Sequence, residues 1–296
     1  MKNQLIALCI LLLGIMSCGR QESRDIDFEQ WGKYWFQGKA EISSFDLVQY
    51  RYGEAREGEA VLIFVTEDFS RKHQVKLDRP EEAGRDKLSV IKMNQTRDFV
   101  TGIYPYHMML SAFSPTKEIG YGVKFNVTSQ EWCGHTFSQM NLNKGEDYKG
   151  KIYSYFEKEG DQEFSISGLP EDAIWNLIRI NPNQVPIGNV RIIPSLIYQR
   201  FSHRAFKAEE AFIRILDLSD SRSRLELSYS SGERVMRIDF EKNFPYEIMA
   251  WEEIQTQKDG QQEITTAKRK AVKQIDYWKR NRLEDEFLRE ELYLKY

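Results

Sequence analysis

Several stretches of this chain alternate between apolar and polar residues. Val123, Phe125 and Val127 are spaced by Lys124 and Asn126. Leu225, Leu227 and Tyr229 alternate with Arg224, Glu226 and Ser228, and Met236, Ile238 and Phe240 with Arg237, Asp239 and Glu241. A period of two turns one set of side chains inward and the other toward water, the habit of antiparallel sheets. Ala60 to Thr66 (AVLIFVT) is a β-branched apolar run and predicts a buried strand. Gln262 to Ile275 also alternates but is polar at most positions, which predicts an exposed or edge strand. The pattern predicts a mainly β fold: one large curved antiparallel sheet or half-barrel with one or two packed helices.

Two segments carry helical signals. Pro170, Glu171 and Asp172 open one with an acidic first turn; it runs through Trp175 and Ile178 and stops before Pro182. From about Asp276 to Leu294, Trp278, Phe287, Leu288 and Leu292 lie among many charges, which predicts a C-terminal amphipathic helix docked on the sheet. One internal echo is present. Tyr104-Pro105-Tyr106-His107-Met108-Met109 matches Phe244-Pro245-Tyr246-Glu247-Ile248-Met249, each after a strand carrying a basic residue, an apolar residue and Asn or Asp. Either a duplicated meander or two chance hairpins accounts for a match this short.

The first residues differ from the rest. Lys2 precedes a nearly unbroken apolar stretch from Leu5 to Ile15, then Ser17, Cys18 and Gly19. That is the outline of a secretory signal peptide, and the stretch is shorter than the roughly 20 residues a spanning helix needs. Ile15-Met16-Ser17-Cys18 resembles the bacterial lipobox, which implies cleavage after residue 17 and lipid on Cys18. One acyl chain holds a membrane marginally, while two or more hold it stably. The expected organisation is a signal peptide (1–17), a lipidated tether (18–30) and a single β-rich domain (31–296). Surface-exported bacterial lipoproteins resemble one another in an acidic run just after the cysteine, and residues 19–24 here are mixed in charge; the comparison implies a cell-envelope address, lipid-anchored to the outer membrane on its periplasmic face.

Composition narrows the function classes. With 42 basic and 45 acidic residues the chain is mildly acidic, which argues against a nucleic-acid partner. Cys9 leaves with the signal peptide and Cys18 takes the lipid. Cys133 then has no partner for a disulfide, and a core of this size suffices without one. A lone thiol of this kind is expected to be buried and inert.

Candidate chemistry is sparse. In Glu131-Trp132-Cys133-Gly134-His135, residues two apart share a face if the segment is one strand. Glu131, Cys133 and His135 would then converge as a thiol and its base, or as part of a zinc site; the alternative is a packed strand with a buried thiol. No G-x-S-x-G, H-E-x-x-H, P-loop or G-x-G-x-x-G motif occurs. No metal or cofactor is expected, and the chain leans away from enzymatic function. Tyr104, Tyr106, Met108, Phe113, Trp132, Tyr153, Tyr155 and Trp251 lie on predicted strands, and Tyr104, Tyr106, Met108, Trp132 and Trp251 among them are the candidates to line an apolar ligand site on a curved sheet; an ordinary aromatic core uses the same residues.

Residues 39–69, TGIYPYHMM (101–109), SQEWCGHTFSQMN (129–141), IRINP (178–182) and FPYEIMAWEE (244–253) together resemble an uncharacterised lipoprotein family of Bacteroidota. Its members are often called septum formation inhibitors of the Maf type. The Ser-x-Ser-Pro-Arg-Arg-like phosphate-binding start of that type is not in this sequence, so no pyrophosphatase activity and no catalytic residues carry over. The long-stranded pattern is also similar to periplasmic half-barrels that shelter lipid. The reading is therefore a membrane-anchored, non-enzymatic envelope lipoprotein that binds an apolar ligand or an envelope protein. The alternatives are a hydrolase or thiol enzyme using Cys133 and His135, and a structural or assembly component of the outer membrane.

Overall fold

A computed structural model describes residues 26–118 and 120–295; the predicted signal peptide, Cys18 and the first part of the tether lie outside the described residues. Helix α1 (Phe28–Trp35) begins inside the span read as tether, with Asp27 as its N-cap. Seven strands and then an eighth follow as a continuous meander: β1 (Ala40–Arg51), β2 (Glu54–Ser70), β3 (Lys87–Thr101), β4 (Tyr104–Pro115), β5 (Lys124–Glu131), β6 (Gly134–Lys144), β7 (Asp147–Ser154) and β8 (Gln162–Ser167). The two-residue β9 (Leu169–Pro170), helix α2 (Ile174–Ile180), β10 (Gly188–Ile193) and helix α3 (Leu196–Ser202) come next. The second meander is β11 (Glu209–Asp217), β12 (Arg222–Tyr229), β13 (Arg234–Glu241), β14 (Ile248–Thr256) and β15 (Gln262–Ile275), and α4 (Phe287–Glu291) ends the chain.

All 15 strands form one sheet, in the order β8 to β1 and then β15 down to β9. It is antiparallel throughout except where β9 lies parallel to β10. β1 pairs with both β2 and β15, so the two meanders are joined at the first strand. The sheet curls into a nearly closed barrel whose remaining seam lies between β8 and β9–β10. Phe164 and Phe206 stack across that seam with ring centroids 4.3 Å apart. Of the two readings of β15, exposed or edge, the edge one fails: it pairs along both β14 and β1. Only Thr265 and Ala267 are buried, and the rest of the strand is half-buried or exposed; a strand at the middle of a sheet needs only one apolar face.

The lumen is filled by the chain itself. Eight strands enclose a space that side chains can fill, whereas a larger barrel needs a plug or holds a cavity. Here every residue from Glu171 through Ile180 is buried, so α2 stands inside the barrel. Its sequence, IWNLIRI, is apolar on all sides but for Asn176 and Arg179, as a fully enclosed helix requires. The predicted stop before Pro182 holds, and a 3-10 turn at Glu171–Ala173 precedes the helix. α1 adds Trp31 and Trp35 to the same core from one end. The C-terminal helix is shorter than the pattern predicts: short 3-10 turns lead to the five-residue α4. That segment packs on the outer wall through Leu292, with Ile42 and Val65 beneath it, while Trp278 and Phe287 stay exposed.

The echo between residues 104–109 and 244–249 does not mark equivalent positions. Tyr104 and Pro105 begin β4, whereas Phe244 and Pro245 lie in the turn before β14.

The outer wall of β11 to β14 is charged. Arg214, Glu226, Arg237 and Glu252 are successive cross-strand neighbours on β11 to β14 and form an ion-pair ladder there. A membrane-spanning barrel has the opposite polarity, an apolar band outside.

Candidate functional site

Glu131, Cys133 and His135 do not converge. β5 ends at Glu131 and β6 begins at Gly134, so Trp132 and Cys133 form the hairpin turn between them. The turn breaks the alternation on which a shared face depends. Glu131 points inward, with Arg200 at 4.0 Å, and accepts a hydrogen bond from the Cys133 backbone N–H at 2.6 Å. His135 points outward and is exposed. Cys133 itself is exposed rather than buried. The hydrogen bond to the Glu131 carboxylate, followed by burial, pushes the Cys133 thiol up, away from the thiolate form a nucleophile needs. Gly134 is required at its place: an added Cβ would lie 2.7 Å from the ring of Tyr155.

The five aromatic and Met candidates also divide. Trp251 is in the core, 4.8 Å from Phe45 and 5.4 Å from Trp175 of the enclosed helix between ring centroids. Tyr106 and Met108 are buried on the inner face. Tyr104 is half-buried and Trp132 is exposed, their centroids 6.4 Å apart.

Exposed apolar side chains gather at one barrel end, called distal here, where the β1–β2, β3–β4, β5–β6 and β7–β8 turns lie side by side. Their tips carry Tyr52, Ile103, Trp132 and Tyr155, all more than half exposed. Beneath them the Tyr52 and Tyr106 hydroxyls are 2.7 Å apart, and Arg51 packs on the rings of Tyr52 and Phe201 at 4.4 and 4.8 Å. Burial, and then the hydrogen bond with Tyr52, hold the Tyr106 phenol well above its ordinary range.

Next to that end, the outer wall of β3 to β7 carries an open groove of about 670 Å³. Register explains its lining. Asp98, His107, Gln130 and His135 are consecutive cross-strand neighbours. One step along, Thr96, Met109, Thr128, Phe137 and Tyr153 form the adjacent row. A polar row thus runs beside an apolar one. Asp98 Oδ1 lies 2.7 Å from His107 Nδ1, which fixes the imidazole in the groove's lining. The rings of Phe137 and Tyr153 are 6.4 Å apart and nearly parallel. Such a surface offers aromatic faces with imidazole, amide and hydroxyl groups beside them, which is chemistry for binding. Of the groove's lining, His135 and Met108 stand among the sequence candidates, and Tyr153 among the strand aromatics read beside them. The others needed the strand register: nothing local in the sequence says that Asp98 meets His107, or Phe137 meets Tyr153.

Comparison with known proteins leaves the reading to these residues. No family model and no curated protein matches the chain. Among solved structures it is similar to a β-barrel-like protein of a domain of unknown function, DUF1849, from Brucella abortus. The two are 8% identical, with a TM-score of 0.46, over 80% of this chain and 98% of that one.

Proposed function

We propose that this chain is a non-enzymatic envelope lipoprotein, anchored through lipid on Cys18, that binds a protein partner at the distal end and adjoining outer groove of its barrel. The observation that carries the reading is the enclosed helix α2. With the lumen occupied by the chain's own residues, a lipid-sheltering cavity is not the binding surface, and exposed apolar groups become the candidates. Four adjacent turn tips bearing Tyr52, Ile103, Trp132 and Tyr155 make a patch of the kind that marks protein contacts on water-soluble walls. Trp and Tyr are the residues on which such contacts most depend. Anchoring is supported by the signal-like start and Cys18. No helix among the described residues is long and apolar enough to cross a membrane.

Two measurements test the two halves. The full-length Cys18→Ser variant should leave the membrane fraction in cells, while the wild type stays there; retention of the variant would sink the anchor. Cross-linking in intact cells should give a defined adduct that Trp132→Ala and Tyr153→Ala together abolish. An adduct indifferent to both substitutions would move the contact elsewhere. A turnover lost on Cys133→Ala would instead favour the thiol-enzyme reading.

A further inference from the structure

A second groove, of about 590 Å³, lies on the outer wall toward the other, proximal end of the barrel. It combines positive charge with exposed aromatic surface. Val65, Lys92, Phe113, Lys124 and Asn141 are successive cross-strand neighbours on β2 to β6. Lys39, Lys76, Tyr277 and Trp278 complete the relevant wall. Four lysines thus share the groove with one carboxylate, Glu67, which pairs with Lys92 at 2.7 Å and lies 3.5 Å from Lys76. Lys39 and Lys124 have no carboxylate within ion-pair reach among the described residues. Lys124 is half-buried, and burial alone lowers its pKa. An ammonium partly withdrawn from water without a countercharge is strengthened by an arriving anion.

The position of this groove says which anion. Lys39 immediately precedes β1, and Thr66 in the groove wall donates its hydroxyl to the Trp35 carbonyl at the end of α1. The chain therefore enters the barrel beside the groove. Only seven residues, 19–25, lie between Cys18 and Ile26, the first described residue, so the two are at most about 28 Å apart at full extension. Trp278 and Val75, each nearly half exposed, stand in the same wall. Tryptophan prefers the headgroup level of a bilayer, and lysines near an anionic surface are attracted to it.

We propose that this groove docks the barrel on the membrane that carries its anchor, with the phosphates of anionic lipid headgroups held by Lys39, Lys92 and Lys124 and Trp278 at the interface. The inference rests on the anchored reading above for its geometry but has its own test. The chain from residue 18 onward, carrying Cys18→Ser and therefore unlipidated, is mixed with phosphatidylglycerol-containing vesicles and with phosphatidylcholine vesicles. It should sediment with the first and not the second, and salt should release it. Lys39→Gln and Lys124→Gln, neither of which breaks an ion pair, should each weaken vesicle binding about fivefold. Trp278→Phe should remove a blue shift in tryptophan fluorescence on binding, whereas Trp132→Ala at the distal end should not change sedimentation. Equal binding to both vesicles, or variants with native circular dichroism that bind as the parent does, would overturn the proposal. So would saturable binding of inorganic phosphate with no preference for vesicles, which would assign the groove to a free anion. Because the lipid is absent here, failure would leave the Cys18 anchor standing, and loss of the anchor in cells would leave this result intact.

Discussion

Arg179, on the helix inside the barrel, is held by Glu41 of the first strand through both ends of its guanidinium, with both side chains essentially out of water. Tyr34 of α1 donates to the same carboxylate at 2.5 Å, and Arg179 Nε donates to the Pro245 carbonyl at 3.0 Å. Its guanidinium also lies 5.0 and 4.8 Å from the rings of Trp35 and Phe64. One ion pair therefore ties α1, β1, the enclosed helix and the β13–β14 turn together. Burial alone would push the Glu41 carboxyl up, but Arg179, the Tyr34 hydrogen bond and Arg269 together outweigh it and hold the group below the usual carboxylate range.

Removing one partner of such a pair leaves an uncompensated buried charge. Arg179→Met should cost about 3–5 kcal/mol of stability, and adding Glu41→Leu should recover much of it. Urea unfolding of the single and double variants measures both. A double variant no more stable than the single one would show that the guanidinium matters through its packing on Trp35 and Phe64.

A second buried carboxyl has the opposite character. Asp172, in the turn leading into α2, is fully buried, and burial pushes its pKa up to about 7. Its Oδ2 accepts from the Leu196 backbone N–H at 2.9 Å. An ordinary aspartate in the unfolded chain titrates near 3.9. The folded state therefore binds the extra proton between these values, and the stability this group contributes is fully present below about pH 4 and lost as pH rises through about 7. Asp172→Asn keeps the acceptor without the charge. Relative to the parent, its urea midpoint should rise as pH goes from 5 to 8. A difference that does not change with pH would rule out this titration. Glu41 and Glu253, whose pKa values are lowered, lose stability in acid instead, but they are common to both proteins and cancel in the comparison.

Asn176 fastens the enclosed helix to the wall. Its Nδ2 lies within hydrogen-bond distance of the carbonyls of Ile91 and Ala112, at 3.3 and 3.1 Å, and of the Ser114 hydroxyl at 3.1 Å. Asn176→Ala should cost about 1–3 kcal/mol, because buried acceptors lose their donor. Thermal unfolding reads this directly, and an unchanged Tm would mean that water replaces the amide.

The exposed Cys133 thiol gives a chemical test of the turn. A maleimide should label the folded chain at Cys133 slowly at neutral pH and faster as pH rises. Glu131→Gln should accelerate labelling at pH 7, because the carboxylate is what raises the thiol pKa. A thiol that reacts at the same rate in both proteins would remove Glu131 from that role.

Much of the wall was legible in the sequence. The alternation at 123–127, 225–229 and 236–240 marks strands β5, β12 and β13, and each keeps its apolar set inward. Pro170, the acidic turn and Pro182 bound the internal helix within a few residues. These signals are local: a period of two or a capping pattern is a property of neighbouring residues. The polar pattern of 262–275 left an exposed and an edge strand undivided for the same reason, since periodicity cannot say whether a strand has one neighbour or two.

What the sequence by itself determined is thus the antiparallel, one-sided character of the strands and the span of the central helix, along with the signal-like start that points to Cys18. The tertiary structure alone decided that the helix stands inside the barrel, that Glu131 and His135 face opposite ways across a turn, and that Asp98, His107, Phe137 and Tyr153 share a groove. The reason is physical. Alternation assigns each residue to a face, but only the register between strands sets which residues on that face become neighbours, and register is a long-range pairing that no short window of sequence contains.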